Sequence, residues 1–157
     1  MKGASKIIKQ LNACLGNELI AINQYFLHAR MCGNWGLEEL NEKEYKKSIQ
    51  DMKHADKLIE RILLLEGLPN LQKLGKLLIG EDTKEILECD LKLQHQVMSE
   101  LRDGIALCEQ EADYVSRDLL QKILHDEEEH TDWIETQQSL IKNTGIKNYL
   151  QSMMGSD

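Results

Sequence analysis

Residues 67–83 read GLPNLQKLGKLLIGEDT, and the way this stretch interrupts an otherwise helical chain decides the fold. Gly67, followed two positions later by Pro69, stops one helix and prevents its resumption. Helical patterning restarts at Glu81-Asp82-Thr83, where Asp82 with Glu85 three residues on has the form of a capping box. Roughly 15 residues lie between, more than a tight helix–helix turn needs. A helix of about 30 residues is about 45 Å long, and about 15 extended residues span that distance. The segment can therefore carry the chain back along a bundle, which makes the helices on either side of it parallel.

Working outward, the other punctuation is sparse. Gly33-Asn34-Trp35-Gly36 is a short turn that should join antiparallel neighbours, and Thr144-Gly145 leaves a short C-terminal helix from Ile146 to Met153. Between these stops the apolar residues recur at helical spacing. The first helix carries Ile8, Leu11, Leu15, Ile22, Tyr25 and Ala29; the third carries Leu87, Leu91, Met98, Leu101, Ile105 and Cys108; the fourth carries Leu120, Ile123 and Ile134. One proline and ten glycines in 157 residues are too few for an all-β design, and Leu, Glu, Lys, Gln and Ile are helix formers. The expectation is a single all-α domain over residues 1–157: a four-helix bundle with one long crossover connection and a short fifth helix.

Composition also narrows the partners. The net charge of −8 argues against nucleic acid, whose phosphates need the opposite sign. No segment approaches the roughly 20 apolar residues of a membrane span. The first residues, MKGASKIIKQLNACLGNE, lack the apolar run of a signal peptide. Cys14, Cys32, Cys89 and Cys108 are too widely spaced for a zinc ribbon or a redox pair and read as free thiols in a reducing compartment. A cytoplasmic location is expected.

Four polar residues intrude on the core phases: Glu18 in the first helix, Gln94 in the third, Glu127 and His130 in the fourth. Asp51-x-x-His54 and Glu127-x-x-His130 share a carboxylate–histidine spacing that puts both side chains on one helical face. The two pairs are offset by 76 residues in both members, and stepping 33 back from each carboxylate reaches Glu18 and Gln94. Two half-bundles thus supply one residue from their first helix and a carboxylate–histidine pair from their second. This is the donor arrangement of di-iron carboxylate bundles. Hard carboxylate oxygens neutralise and bridge two Fe(II) ions, while imidazoles complete the coordination.

Two positions depart from that arrangement, which has Glu at all four carboxylate sites. Asp51 is one methylene short, and Gln94 offers a neutral amide oxygen. Glu18, Asp51 and Glu127 would leave two Fe(II) ions with one positive charge over. His95 cannot stand in for Gln94, because the next helical residue points about 100° away. The site reads as present in outline and impaired. His28, His95 and His125 read as surface or packing residues.

The second helix has another apolar strip: Tyr45, Ile49, Met52, Ile59 and Leu63. Met52 is about 200° round the helix from His54, so it points away from the core. Leu19, Asn23 and Phe26 form a comparable outward strip on the first helix, and two adjoining strips imply a subunit interface. Met52 is either packing filler or a thioether ligand to haem iron across a two-fold axis.

LGNELIAINQYFLHARM at 15–31, MKHADKLIERILLLEGLPNLQKLGKLLIGEDTKE at 52–85 and DYVSRDLLQKILHDEEEHTDWIETQ at 113–137 closely resemble bacterioferritin, nearly end to end. The resemblance implies a ferritin-like bundle in a cage of twenty-four subunits, haem b at each two-fold interface and a ferric mineral inside. Met52 matches the haem-ligating methionine of that family. Glu18, His54, Glu127 and His130 match its ferroxidase ligands, and Asp51 and Gln94 stand where its pattern has Glu. Some bacterioferritins are mixed cages in which one subunit oxidises iron and another contributes haem, and the altered site beside Met52 suits the second role. The resemblance also implies a ferredoxin-type electron donor for iron release. The alternatives are a fully ferroxidase-active homopolymer and, from another class, a di-iron oxidase acting on an organic substrate.

Overall fold

A computed structural model describes residues 1–73 and 75–155; Leu74, Ser156 and Asp157 lie outside the described residues. Five helices follow one another: α1 Ser5–Asn34, α2 Glu38–Leu64, α3 Thr83–Gln110, α4 Tyr114–Thr144 and α5 Ile146–Ser152. The described residues form no strand. α1 packs on α2 and α3, α4 packs on α3 and α2, and α5 lies against α4.

Contacts along the helices fix their directions. The start of the chain meets the end of α2, where the Gly3 N–H donates to the Leu65 carbonyl at 3.0 Å. Gln10 meets Glu100, and Gln24 meets Asp90. α2 and α3 are therefore both antiparallel to α1 and parallel to each other, as the length of the 67–83 stretch requires. That stretch runs along α1: Asn12 binds the Leu68 carbonyl, Gln24 accepts from the Leu78 N–H, and His28 accepts from the Gly80 N–H. Two glycines let it pass closely. A Cβ on Gly75 would stand 2.0 Å from the tip of Ile20, and one on Gly80 would stand 2.4 Å from the Ile86 backbone nitrogen.

Three helices end in the same motif, in which a residue with left-handed φ lets its own N–H and the next one reach back to the last carbonyls. Gly36 (φ +82°) ends α1 in this way, with Gly36 and Leu37 donating to Gly33 and Cys32. At the end of α2 the left-handed residue is Glu66 (φ 63°), not Gly67, which instead donates to Ile62. The turn between α3 and α4 uses Ala112 (φ 58°), with Asp113 donating to Cys108. Asp82 caps α3 through a 2.8 Å bond from the Glu85 N–H, and Asp113 caps α4 through one of 3.0 Å from the Ser116 N–H.

The main core runs down the bundle through Leu11, Leu15, Leu58, Ile62, Leu101 and Leu120, each no more than 1% exposed. A second cluster, with Tyr149 packed on Cys32, Leu40 and Ile86, anchors α5 across the end. All four cysteines are free.

Candidate metal centre

Midway along the bundle the apolar core gives way to charge. Glu18 from α1, Asp51 and His54 from α2, and Glu127 from α4 are all buried, with potential donor atoms within 4.8 Å of one another. Each arrives on the core-facing stripe of a long helix, so backbone rigidity fixes its position. Gln94 of α3 is fully buried and adjoins the group through Glu127. His130 is buried one turn beyond Glu127, edge-on to Tyr25 and stacked on Trp133, and stands outside the four-residue group.

A fifth charged residue lies inside, and sequence reasoning missed it. Lys47 of α2 is 4% exposed, and its ammonium donates to Asp51 Oδ1 and, at 3.0 Å, to Glu127 Oε1. It also lies 5.4 Å from the centroid of the Tyr25 ring. Its position was available in the sequence: Lys47 is four residues before Asp51 and seven before His54, which puts it on their face.

Gln94 is equally committed. Its Nε2 donates to Glu127 Oε2 at 2.6 Å and its Oε1 accepts from the Tyr25 hydroxyl at 2.6 Å. The amide orientation follows from the partners, because a carboxylate accepts only from the nitrogen side. Both Glu127 oxygens are therefore satisfied by protein donors. Glu18 differs: neither of its oxygens has a partner, and the same holds for Asp51 Oδ2 and His130 Nε2. His54 Nδ1 faces Glu127, Glu18 and Asp51 at 3.2, 3.5 and 3.6 Å without hydrogen-bond geometry to any of them. Its Nε2 lies 2.8 Å from Asp126 Oδ2, the outer carboxylate contact that orients a ligating imidazole.

The electrostatics follow from this geometry. Burial opposes the charge on His54, yet the Asp51, Glu127 and Glu18 carboxylates push its pKa up to about 12. Burial likewise opposes the Lys47 charge, and Asp51 and Glu127 more than offset it. Burial would raise Glu127, but Lys47, His54 and Gln94 hold it below the usual carboxylate range. At Glu18, burial and then Asp51 and Glu127 outweigh the pull of His54, 3.5 Å away, and push the carboxyl well above that range. Burial also raises Asp51, against the pull of Lys47. His130, buried and facing Lys47, falls to about 3 and is a neutral imidazole.

A second buried group lies further along the bundle: His28, Glu44 and Asp90. Here the hydrogen bonds take the imidazole out of ligation, while both Glu44 oxygens and Asp90 Oδ2 have no partner. His28 Nε2 accepts from the Gly80 N–H at 3.0 Å, so Nδ1 carries the proton and donates to Asp90 at 2.8 Å. With neither ring nitrogen left over, the imidazole ties the crossover to α1 and α3. His28 is thus a packing residue of polar kind. His125 is exposed and paired with Glu129, and His95 is exposed.

The outward strip stands open on the subunit surface. Met52 is 52% exposed, alongside Phe26, Tyr45 and Leu63. Ile49, Leu19 and Ile59 are half-buried, the last two packed against the core, and Asn23 is exposed. Among the described residues, no helix is long and apolar enough to cross a membrane.

Residues 8–144 match the family model for the ferritin-like domain. A bacterioferritin of Mycobacterium leprae is 46% identical over 149 residues, covering 95% of this chain and 94% of that protein. A bacterioferritin of Brucella melitensis is 45% identical over 151 residues, covering 96% and 94%. A bacterial ferritin of Synechocystis is 45% identical over 155 residues, covering 98% and 99%.

Proposed function

The chain belongs to the bacterioferritin family, and on that premise we propose that it is an iron-storage subunit whose own oxidation site is weak. It assembles with copies of itself, or with a second ferritin-like chain, into a cytoplasmic cage of twenty-four subunits around a ferric mineral. Iron is the cargo and Fe(II) the substrate. The observation that carries this reading is the charged group built into the bundle core, with Lys47 and Gln94 bonded to the carboxylates that would otherwise bridge iron.

The residues fit a complete di-iron pair poorly. Glu127 gives one oxygen to Lys47 and the other to Gln94, and Gln94 brings no charge. A bridging carboxylate engaged at both oxygens must first give up these bonds. Oxidation of Fe(II) to Fe(III) by dioxygen or peroxide is therefore slow in this subunit, and a partner chain supplies the rapid step in a mixed cage. A homopolymer with full ferroxidase activity is the competing reading.

Haem b fits the open strip. Met52 offers a soft thioether beside apolar neighbours, and a two-fold copy of the strip would cover it. When bound, haem supplies one-electron transfer, which suits reductive iron release fed by a ferredoxin-type donor. Oxidation of an organic substrate is less well supported. A cavity of about 1040 Å³ lies by α5 and touches none of the six site residues. The small cavity shared by Lys47 and His130 is about 170 Å³, below the size of ordinary ligand pockets.

Size-exclusion chromatography after aerobic iron loading tests the storage reading. Ferric iron co-eluting with a particle of several hundred kilodaltons is expected; a monomer or dimer without retained iron refutes it.

A further inference from the structure

The partnerless atoms of the metal centre are unevenly distributed. Glu18 Oε1 and Oε2, Asp51 Oδ2 and His54 Nδ1 are all buried, all without a hydrogen-bond partner, and all on the α1–α2 side. An unpartnered buried carboxylate is costly, and three such oxygens beside His54 Nδ1 make a place where a metal cation would displace the ring proton. The α4 side is different. There Glu127 is saturated by Lys47 and Gln94, and of the described site residues on α4 His130 alone keeps a partnerless atom, Nε2.

We propose that the centre takes a single divalent first-row cation on Glu18, Asp51 and His54, with the Lys47 ammonium standing in for a second cation beside Gln94 and Glu127. The inference deepens the storage reading and rests on it for the choice of cation. Three lines of geometry support it. Lys47 contacts one oxygen each of Asp51 and Glu127, the carboxylates of the two carboxylate–histidine pairs, and leaves Asp51 Oδ2 free for the first half. The charges close: three carboxylates balance one ammonium and one divalent ion, whereas two divalent ions beside Lys47 would leave two positive charges in a buried site. His54 is already oriented through its Nε2 contact to Asp126, with Nδ1 turned inward. Carboxylate and imidazole donors suit Fe(II), Co(II) or Zn(II).

The consequence is a change in stoichiometry. A centre that holds one ion rather than two cannot collect a pair of electrons from adjacent Fe(II) ions, which accounts for slow oxidation without loss of the fold.

The test uses assembled, chelator-treated cages of the full chain titrated anaerobically with Co(II). Bound metal is counted by equilibrium dialysis, and imidazole-bound cobalt is followed by its ligand-field absorbance. One Co(II) per subunit is expected, lost in Glu18→Ala and in His54→Ala, and rising to two in Lys47→Met/Gln94→Glu. Two ions in the unmodified chain, or none, would overturn the proposal. If the double variant does not assemble, the unmodified count against Glu18→Ala still decides. Cobalt binding without oxygen requires neither oxidation nor storage, so a count of none or two leaves the storage reading to its own test.

Discussion

Replacing Lys47 by Met tests the electrostatics of the core, because it keeps an unbranched chain of similar length and removes the charge. In the native fold the ammonium is bonded to Asp51 and Glu127, with all three side chains no more than 3% exposed. Removing one partner of a buried ion pair leaves the other uncompensated, at a cost of about 3–5 kcal/mol. With unfolding entropy of about 2.1 cal/mol/K per residue, a 157-residue subunit has about 0.33 kcal/mol/K, so the melting temperature should fall by about 9–15 °C. The neighbouring Lys46 is the control. It pairs with Glu42 on the surface, at 71% and 61% side-chain exposure, and Lys46→Met should change stability very little. Calorimetry of chelator-treated cages near pH 7 compares the two. A Lys47→Met melting temperature within about 2 °C of the Lys46→Met value would refute the view that this ammonium balances the buried carboxylates.

Asp113→Ala removes the cap of α4 and the acceptor for Arg61, so stability should fall by about 1–2 kcal/mol in denaturant titration. Although burial opposes it, hydrogen bonds from Ser116 and the Arg61 charge lower the Asp113 pKa in the fold. Its contribution is therefore complete above the ordinary aspartate pKa of about 3.9 and fades as pH falls through the lower folded value, so the gap between wild type and variant should close in acid. Gly80→Ala should destabilise more than Gly75→Ala, because its new Cβ would press on the Ile86 backbone, whereas the one at Gly75 meets the mobile end of Ile20; melting temperatures rank them. Met52→Leu should abolish the Soret band of haem-reconstituted cages while leaving assembly intact, and an unchanged spectrum would show that the haem iron is held elsewhere.

The topology was legible because its punctuation is physical. Pro69 cannot continue a helix, and the distance from Gly67 to Asp82 matches the length of the helices it crosses. The α3–α4 turn was not legible in the same way. Glu111-Ala112-Asp113 holds neither glycine nor proline, and a left-handed alanine closes the helix. Its signal was the cap, Asp113 three residues before Ser116. The end of α2 was placed correctly but for the wrong residue, since Glu66 takes the left-handed conformation beside a glycine that could have.

The candidate centre was half legible. Internal offsets of 33 and 76 residues picked out Glu18, Asp51, His54, Gln94, Glu127 and His130, because a bundle repeats its helix spacing. Lys47 escaped because a lysine is ordinarily read as solvated surface, even at a core-facing register. His28 shows the converse: its imidazole is wholly buried, and only the crossover N–H that reaches it shows that it is structural.

The central claim is that this chain stores iron but oxidises it poorly. Aerobic stopped-flow oxidation of two Fe(II) per subunit by cages of this chain alone, followed by ferric absorbance, tests it most directly, with Lys47→Met/Asp51→Glu/Gln94→Glu as the repaired reference. Oxidation near the protein-free rate in the unmodified cage, with rapid oxidation in the repaired one, is the predicted result. Rapid oxidation by the unmodified cage would contradict it and show that a site holding Lys47 and Gln94 still works as a full ferroxidase.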